Sequence, residues 1–154
     1  MEMSEDFKQI VRVLGTNVDG NRQLVFGLSE IPGIGIRFAT SMVRIVGMDP
    51  TMRIGFISDK DLEKVEDVAK NPLKHGIPGW MLNRRKDYRT GEDRHIVSSD
   101  LAYINKLDID RMRRIKCWRG IRHSLNLKVR GQRTRTTGRS GLIMGVARKK
   151  APGA

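Results

Sequence analysis

Apolar residues along this chain fall into short runs with two different periods. Phe7-Lys8-Gln9-Ile10-Val11-Arg12-Val13-Leu14 is β-prone, and Asp19-Gly20 a few residues later is a turn signal. A short strand or extended arm leading into a tight turn is expected there. Residues 22–31 fit a short helix or a strand, and Leu24, Leu28 and Ile31 recur at helical spacing, which favours the helix. Pro32-Gly33-Ile34-Gly35 breaks the chain. A helix is predicted from about Ile36 to Val46, with Phe38, Met42, Ile45 and Val46 on one face and Gly47 as its stop. Asp49-Pro50 is a turn. Ser58 then caps a helix whose first turn carries Asp59 and Asp61, where the helix dipole favours acids. That helix turns Leu62, Val65, Val68 and Ala69 inward and ends before Asn71-Pro72.

Residues 71–97 lack a period and contain Gly76, Pro78, Gly79 and Gly91; one helical turn around Trp80-Met81-Leu82 is the exception expected. Ser98 or Ser99 caps the longest helix, about 99–116, with Leu101, Ile104, Leu107, Met112 and Ile115 available for packing. Residues from Trp118 to Leu125 are expected to be helical. After Leu127 periodicity is lost. The pattern predicts a mainly α protein: a helical body over 1–127 with a short N-terminal β element, and an extended tail over 128–154.

Charge changes the picture. Lys and Arg number 30 and Asp and Glu 17, a net charge of +13, but the excess is not spread evenly. From Arg111 onward there are 14 basic residues and no acidic one, which leaves 16 basic against 17 acidic side chains up to Asp110. A stretch that long without an anion of its own repels itself, and phosphate is its natural counter-ion. Nucleic acid is the expected partner. Membranes are not: no apolar run approaches the roughly 18 residues a spanning helix needs. The acidic start Met1-Glu2-Met3-Ser4-Glu5-Asp6 is unlike a signal or transit peptide. Cys117 is the only cysteine, so an internal disulfide is impossible and a reducing, cytosolic setting is expected, with Cys117 as a small buried hydrophobe.

Two motifs carry candidate chemistry. Ile31-Pro32-Gly33-Ile34-Gly35 between helical segments resembles a helix-hairpin-helix (helix-two-turn-helix) turn, in which Gly33 and Gly35 let backbone approach a phosphate at the next helix N-terminus. The plain reading is that these glycines only end one helix and start another. Phe38 stands where the third glycine of a dinucleotide fingerprint would be. Gly131-Gln132-Arg133-Thr134-Arg135-Thr136-Thr137-Gly138 has the wrong spacing for a nucleotide phosphate loop and reads as an extended RNA-binding strand, with Arg133, Arg135 and Arg139 as planar forks. Arg113 and Arg114 end the long helix and Lys128 opens the tail. His75, His95 and His123 are scattered, so no metal, cofactor or catalytic site is expected. Asp87, Glu92 and Asp93 lie among Arg84, Arg85, Lys86 and Arg94, and surface ion pairing is expected of them. Trp80 and Trp118 are expected in the core; exposed, they would stack on bases.

Four blocks taken together carry a resemblance. They are Ile31–Gly35, then Ile77-Pro78-Gly79-Trp80-Met81-Leu82-Asn83-Arg84, then Arg119-Gly120-Ile121-Arg122-His123, and last the run from Val129 to Arg139. In this order and spacing the chain closely resembles the small-subunit ribosomal protein S-thirteen family (S-eighteen in eukaryotic naming), from about Phe7 to Lys150. The Pro-Gly-Trp block looks archaeal or eukaryotic, with archaeal preferred. The resemblance implies a non-enzymatic component of the small-subunit head that binds small-subunit rRNA, neighbours protein S-nineteen and bridges to large-subunit protein L-five. It implies a C-terminal tail running towards peptidyl-site tRNA. By position, Arg119, Arg122, His123, Arg130, Arg133, Arg135 and Arg139 should contact RNA, and Arg148, Lys149 and Lys150 should lie near tRNA. Extended, 128–150 would reach roughly 75 Å at ~3.3 Å per residue, against a domain radius of ~15 Å. A DNA-binding architectural protein would share the charge and the turn. A base-excision enzyme with a related motif would need a catalytic amine or carboxylate and often a zinc finger, which this chain does not offer.

Overall fold

In a computed structural model describing residues 7–137, the chain opens on an antiparallel hairpin, β1 (Ile10–Val13) and β2 (Thr16–Asp19), with Val13 opposite Thr16. The expected strand therefore has a partner, and the reversal comes at Leu14-Gly15, ahead of Asp19-Gly20. Both loop residues have positive φ, 49° and 78°, the signature of the tight turn whose twist suits a hairpin. Leucine rarely takes that conformation, so the turn was not legible. Asp19-Gly20 does turn the chain: the Asp19 carboxylate accepts the Asn21 N–H at 3.0 Å. Alternation points Val11, Val13 and Val18 into the core.

Three helices supply most of the rest of the core: α1 (Leu24–Ser29), α2 (Ile36–Val46) and α3 (Asp59–Lys70). Leu24, Leu28 and Ile31 are fully enclosed, as their spacing predicts, and each such side chain contributes roughly 1.5–3 kcal/mol by burial. On α2 the buried stripe is Phe38, Ala39, Met42 and Val43, with Val46 half-buried. Ile45 is exposed; it lies about a quarter-turn from the centre of that stripe at 3.6 residues per turn. Gly47 ends α2 in the left-handed region, its N–H bonded to Arg44 and that of Met48 to Val43. The Ser58 hydroxyl accepts the Asp61 N–H at 3.2 Å, so the α3 cap is formed as the sequence indicates.

The irregular stretch, with one 3-10 turn at Gly79–Met81, returns to the glycine turn between α1 and α2. Gly33 has φ +99°, and a Cβ there would lie 2.4 Å from the Ile96 carbonyl oxygen. The next residues reinforce this approach. The Ser98 N–H donates to the Pro32 carbonyl at 2.7 Å, and the His95 ring stacks on Phe38 at 3.8 Å between centroids.

Contacts divide the chain into two compact units, Met1–Lys106 and Leu107–Ala154. α4 runs Ser98–Arg114 and has no fully buried residue; Leu101, Ile104, Leu107 and Met112 are half-buried and Ile115 is exposed. It begins on Ser98 itself, at φ +53°, and stops two residues early because Lys116 turns left-handed. α5 follows as Trp118–Ser124.

Burial pushes the His95 pKa down from 6.5 to about 4, the Gly33 carbonyl pulling weakly the other way. A lowered histidine pKa means that the unfolded chain takes the proton first. This contribution to stability is complete above pH 6.5 and is lost as pH falls towards 4. Thermal melting of the full chain should drop across that interval, and His95→Phe should flatten the drop. Gly33→Ala should lower stability by roughly 1–3 kcal/mol from backbone strain alone, read as a fall in chemical denaturation midpoint.

Candidate nucleic-acid interface

The C-terminal unit is built around a close helix crossing. Arg111, Arg113 and Arg114 occupy the last turn of α4, where the dipole favours cations. The helix is closed by backbone bonds from Lys116 N–H to the Arg113 carbonyl (3.0 Å) and from Cys117 N–H to the Met112 carbonyl (3.3 Å). This is the two-bond cap usually completed by glycine, here with Lys116 at φ +55°. α5 starts at once. Its N-cap is Cys117, whose sulfur accepts the Gly120 N–H at 3.4 Å while the thiol donates to the Met112 carbonyl at 3.4 Å. Cys117 is thus a half-buried cap rather than a buried hydrophobe. Gly120 is buried, and a Cβ on it would fall 2.2 Å from the Met112 carbonyl oxygen.

That crossing determines which cations remain available. Arg113 is spent on the architecture: it reaches Asp110 at 3.4 Å and donates to the His123 carbonyl at 3.3 Å. Arg114 and Arg119 are exposed. Arg122 is half-buried, with its guanidinium 5.6 Å from the Trp118 ring centroid and its Nε donating to the Lys128 carbonyl. Trp118 is 71% exposed, which overturns the expectation that it packs in the core and leaves its ring face open. His123 is half-buried beside this pair in sequence. α5 ends with Asn126 left-handed at φ +53° and the Leu127 N–H on the Arg122 carbonyl at 2.9 Å. Lys128, Arg130, Arg133 and Arg135 follow in a stretch without helix or strand that turns at Gly131, φ +74°; Lys128, Arg133 and Arg135 are exposed, and so is Arg130. Arg139, Arg148, Lys149 and Lys150 lie outside the described residues, as do Gly138 and the apolar Leu142, Ile143 and Met144.

Gly33 and Gly35 belong to the N-terminal unit and behave differently. The side-chain position of Gly33 is taken by the Ile96 carbonyl, whereas Gly35, the N-cap of α2, has open space around it. Of the two, only Gly35 leaves its backbone approachable. Among the described residues no group of His, Cys, Asp and Glu could hold a metal ion, and no helix is long and apolar enough to cross a membrane.

The family model for ribosomal protein S13/S18 matches residues 12–140, a span that contains all four sequence blocks. The chain belongs to this family. Among its relatives are the small ribosomal subunit protein uS13 of Staphylothermus marinus, 51% identical over 150 residues (97% of this chain and 99% of that protein), and that of Hyperthermus butylicus, 52% identical over the same coverage. The uS13 of Methanocaldococcus jannaschii is 47% identical over 147 residues, 96% of this chain and 98% of that protein. These relatives are archaeal, in keeping with the Pro78-Gly79-Trp80 block. As an S13/S18 protein the chain is a structural, non-enzymatic component of the small ribosomal subunit, and so cytoplasmic.

Trp118, Cys117 and Gly120 are the parts of this interface that sequence reasoning missed or misplaced. Cysteine is not an ordinary cap residue, so its role was not legible. Gly120→Ala should separate α5 from α4. Amide exchange should then accelerate at Ile121 and Leu125, while Val65 and Val68 on α3 keep wild-type protection; equal acceleration everywhere would refute a local role for Gly120.

Proposed function

We propose that this S13/S18 protein binds small-subunit rRNA in the head of the subunit through its C-terminal unit. On this reading residues 1–127 form the body, while 128–154 form a tail that follows RNA towards peptidyl-site tRNA. The supporting observation is the segregation of charge: the whole positive excess follows Asp110, and Arg114, Arg119, Lys128, Arg130, Arg133 and Arg135 are exposed. Exposed guanidinium forks suit phosphates, and Trp118 with Arg122 offers a flat cationic face on which a base can stack. Arg122, His123 and Arg130 join that surface, Arg113 braces it through Asp110 and the His123 carbonyl, and Arg139 extends it. Arg148, Lys149 and Lys150 are assigned to the tRNA-proximal end. Gly33 and Gly35 mark a second backbone approach at the α2 N-terminus, carried by Gly35. The protein partners proposed are head protein S-nineteen and, across the subunit bridge, large-subunit protein L-five.

The test is equilibrium binding to small-subunit rRNA over a salt series. Deleting 128–154 removes eight basic residues, and each phosphate left without its cation should lower the log–log salt slope by about 0.7–0.9. A slope flatter by several units with the body still folded is expected. An unchanged slope would remove the tail from the interface.

A further inference from the structure

Residues 84–94 form a loop whose outward chemistry the rRNA surface of the C-terminal unit does not absorb. Arg84 and Arg94 exchange both backbone hydrogen bonds, at 3.2 and 2.8 Å, and the Asp87 N–H donates to the Glu92 carbonyl at 3.0 Å. The Asn83 amide clamps the neck, donating to the Ile96 carbonyl at 2.6 Å and accepting its N–H at 2.9 Å. The loop is therefore seated on the same Ile96 that fills the glycine turn.

Of the ion pairs expected here Arg84–Asp87 forms, but not at the surface. Asp87 is only 9% exposed and is held by the enclosed Arg84 at 3.1 Å. Asp93 accepts the Lys86 backbone N–H at 2.7 Å and lies 3.1 Å from where a side chain on Gly79 would start. Two of the three carboxylates thus act as internal fasteners. Arg85, Lys86, Arg89 and Arg94 are exposed, and their side chains make no ion pair among the described residues. Trp80, next to Gly79 and so beside Asp93, is 71% exposed, which overturns its expected place in the core. Asp93 thus joins the Lys86 backbone to the neighbour of the open Trp80 indole, with Arg94 next to it in the chain.

Unpaired cations around an exposed aromatic face match the needs of single-stranded RNA: forks and point charges for phosphate, a ring for a base. The centre of a protein interface is depleted of charge, whereas this loop presents four exposed cations in ten residues, and its apolar neighbours Leu82 and Ile96 are buried. We propose that the Trp80–Arg94 loop is a further RNA-binding element, located on the N-terminal unit. It stacks Trp80 on an unpaired base and holds neighbouring phosphates with Arg85, Lys86, Arg89 and Arg94. This inference rests on the reading of the chain as an rRNA-binding protein.

The experiment uses the full chain carrying Trp118→Phe, so that Trp80 is the only tryptophan. Small-subunit rRNA is the probe, and binding is followed by Trp80 emission and by filter retention over a salt series. The parent should bind with Trp80 quenched. A variant with Arg85, Lys86, Arg89 and Arg94 all changed to Ser should bind roughly ten-fold or more weakly, with a salt slope shallower by about 2–3. Trp80→Ala alone, which alters an exposed side chain, should weaken retention about ten-fold. If the unsubstituted chain is not retained with rRNA on the filter, the reading of the chain as an rRNA binder falls and the loop falls with it. If the parent binds with Trp80 unmoved and both variants match its affinity and slope, only the loop inference is overturned, and a protein neighbour takes that face.

Discussion

The carbonyl of Ile96 lies where a side chain on residue 33 would begin, and much of the N-terminal unit is organised by that approach. It requires glycine twice over, once for space and once for φ +99°. Because the approach is tight, the backbone after it is fixed: Ser98 reaches Pro32, and α4 starts from a residue already held. The backbone before it is fixed as well, since Asn83 grips Ile96 from the other side and His95 lies flat on Phe38. A long irregular segment is thereby given a definite conformation with few buried side chains of its own, which is how an exposed loop can still present groups at set positions.

The C-terminal unit solves a related problem with less apolar material. Its helices are short of core, so backbone caps and one close crossing do the organising. Lys116 and Asn126 take the left-handed region that glycine usually fills, and Cys117 serves as an N-cap through sulfur. Each costs something locally, and each turns the chain within two residues. Arg113 shows the same economy: a side chain that charge counting assigns to RNA instead ties Asp110 to the end of α5.

Legibility in the sequence followed the physics of each element. α2 and α3 were readable because a 3.6-residue stripe agrees with a terminal glycine in the one and a serine cap in the other. The hairpin was half-readable, since alternation marks a strand but a leucine at φ 49° hides its turn. Trp80 and Trp118 were misplaced because a large ring satisfies a core and an interface equally well, and only the surrounding fold decides between them. The ion pairs of the 84–94 loop were misread for a similar reason: composition counts carboxylates but cannot tell which ones face inward. For the interface, the charge block after Asp110 was plain from the sequence. The division of labour within it, Arg113 tied to Asp110 and the His123 carbonyl and Arg119 left exposed, depends on the crossing at Gly120 and is tertiary information.

The way α5 hands over to the following segment has a consequence for encounter. The Leu127 N–H is bonded to the Arg122 carbonyl, and the Arg122 side chain grips the carbonyl of Lys128. The first links of the downstream chain therefore leave in a set direction. A tether anchored by a swivel spreads its end over a sphere, whereas one whose first bonds are clamped sweeps a cone. The local concentration of Arg130, Arg133 and Arg135 is raised on the side the clamp selects and lowered elsewhere. That bias operates before any phosphate is touched, and it comes from two hydrogen bonds at the root of the segment.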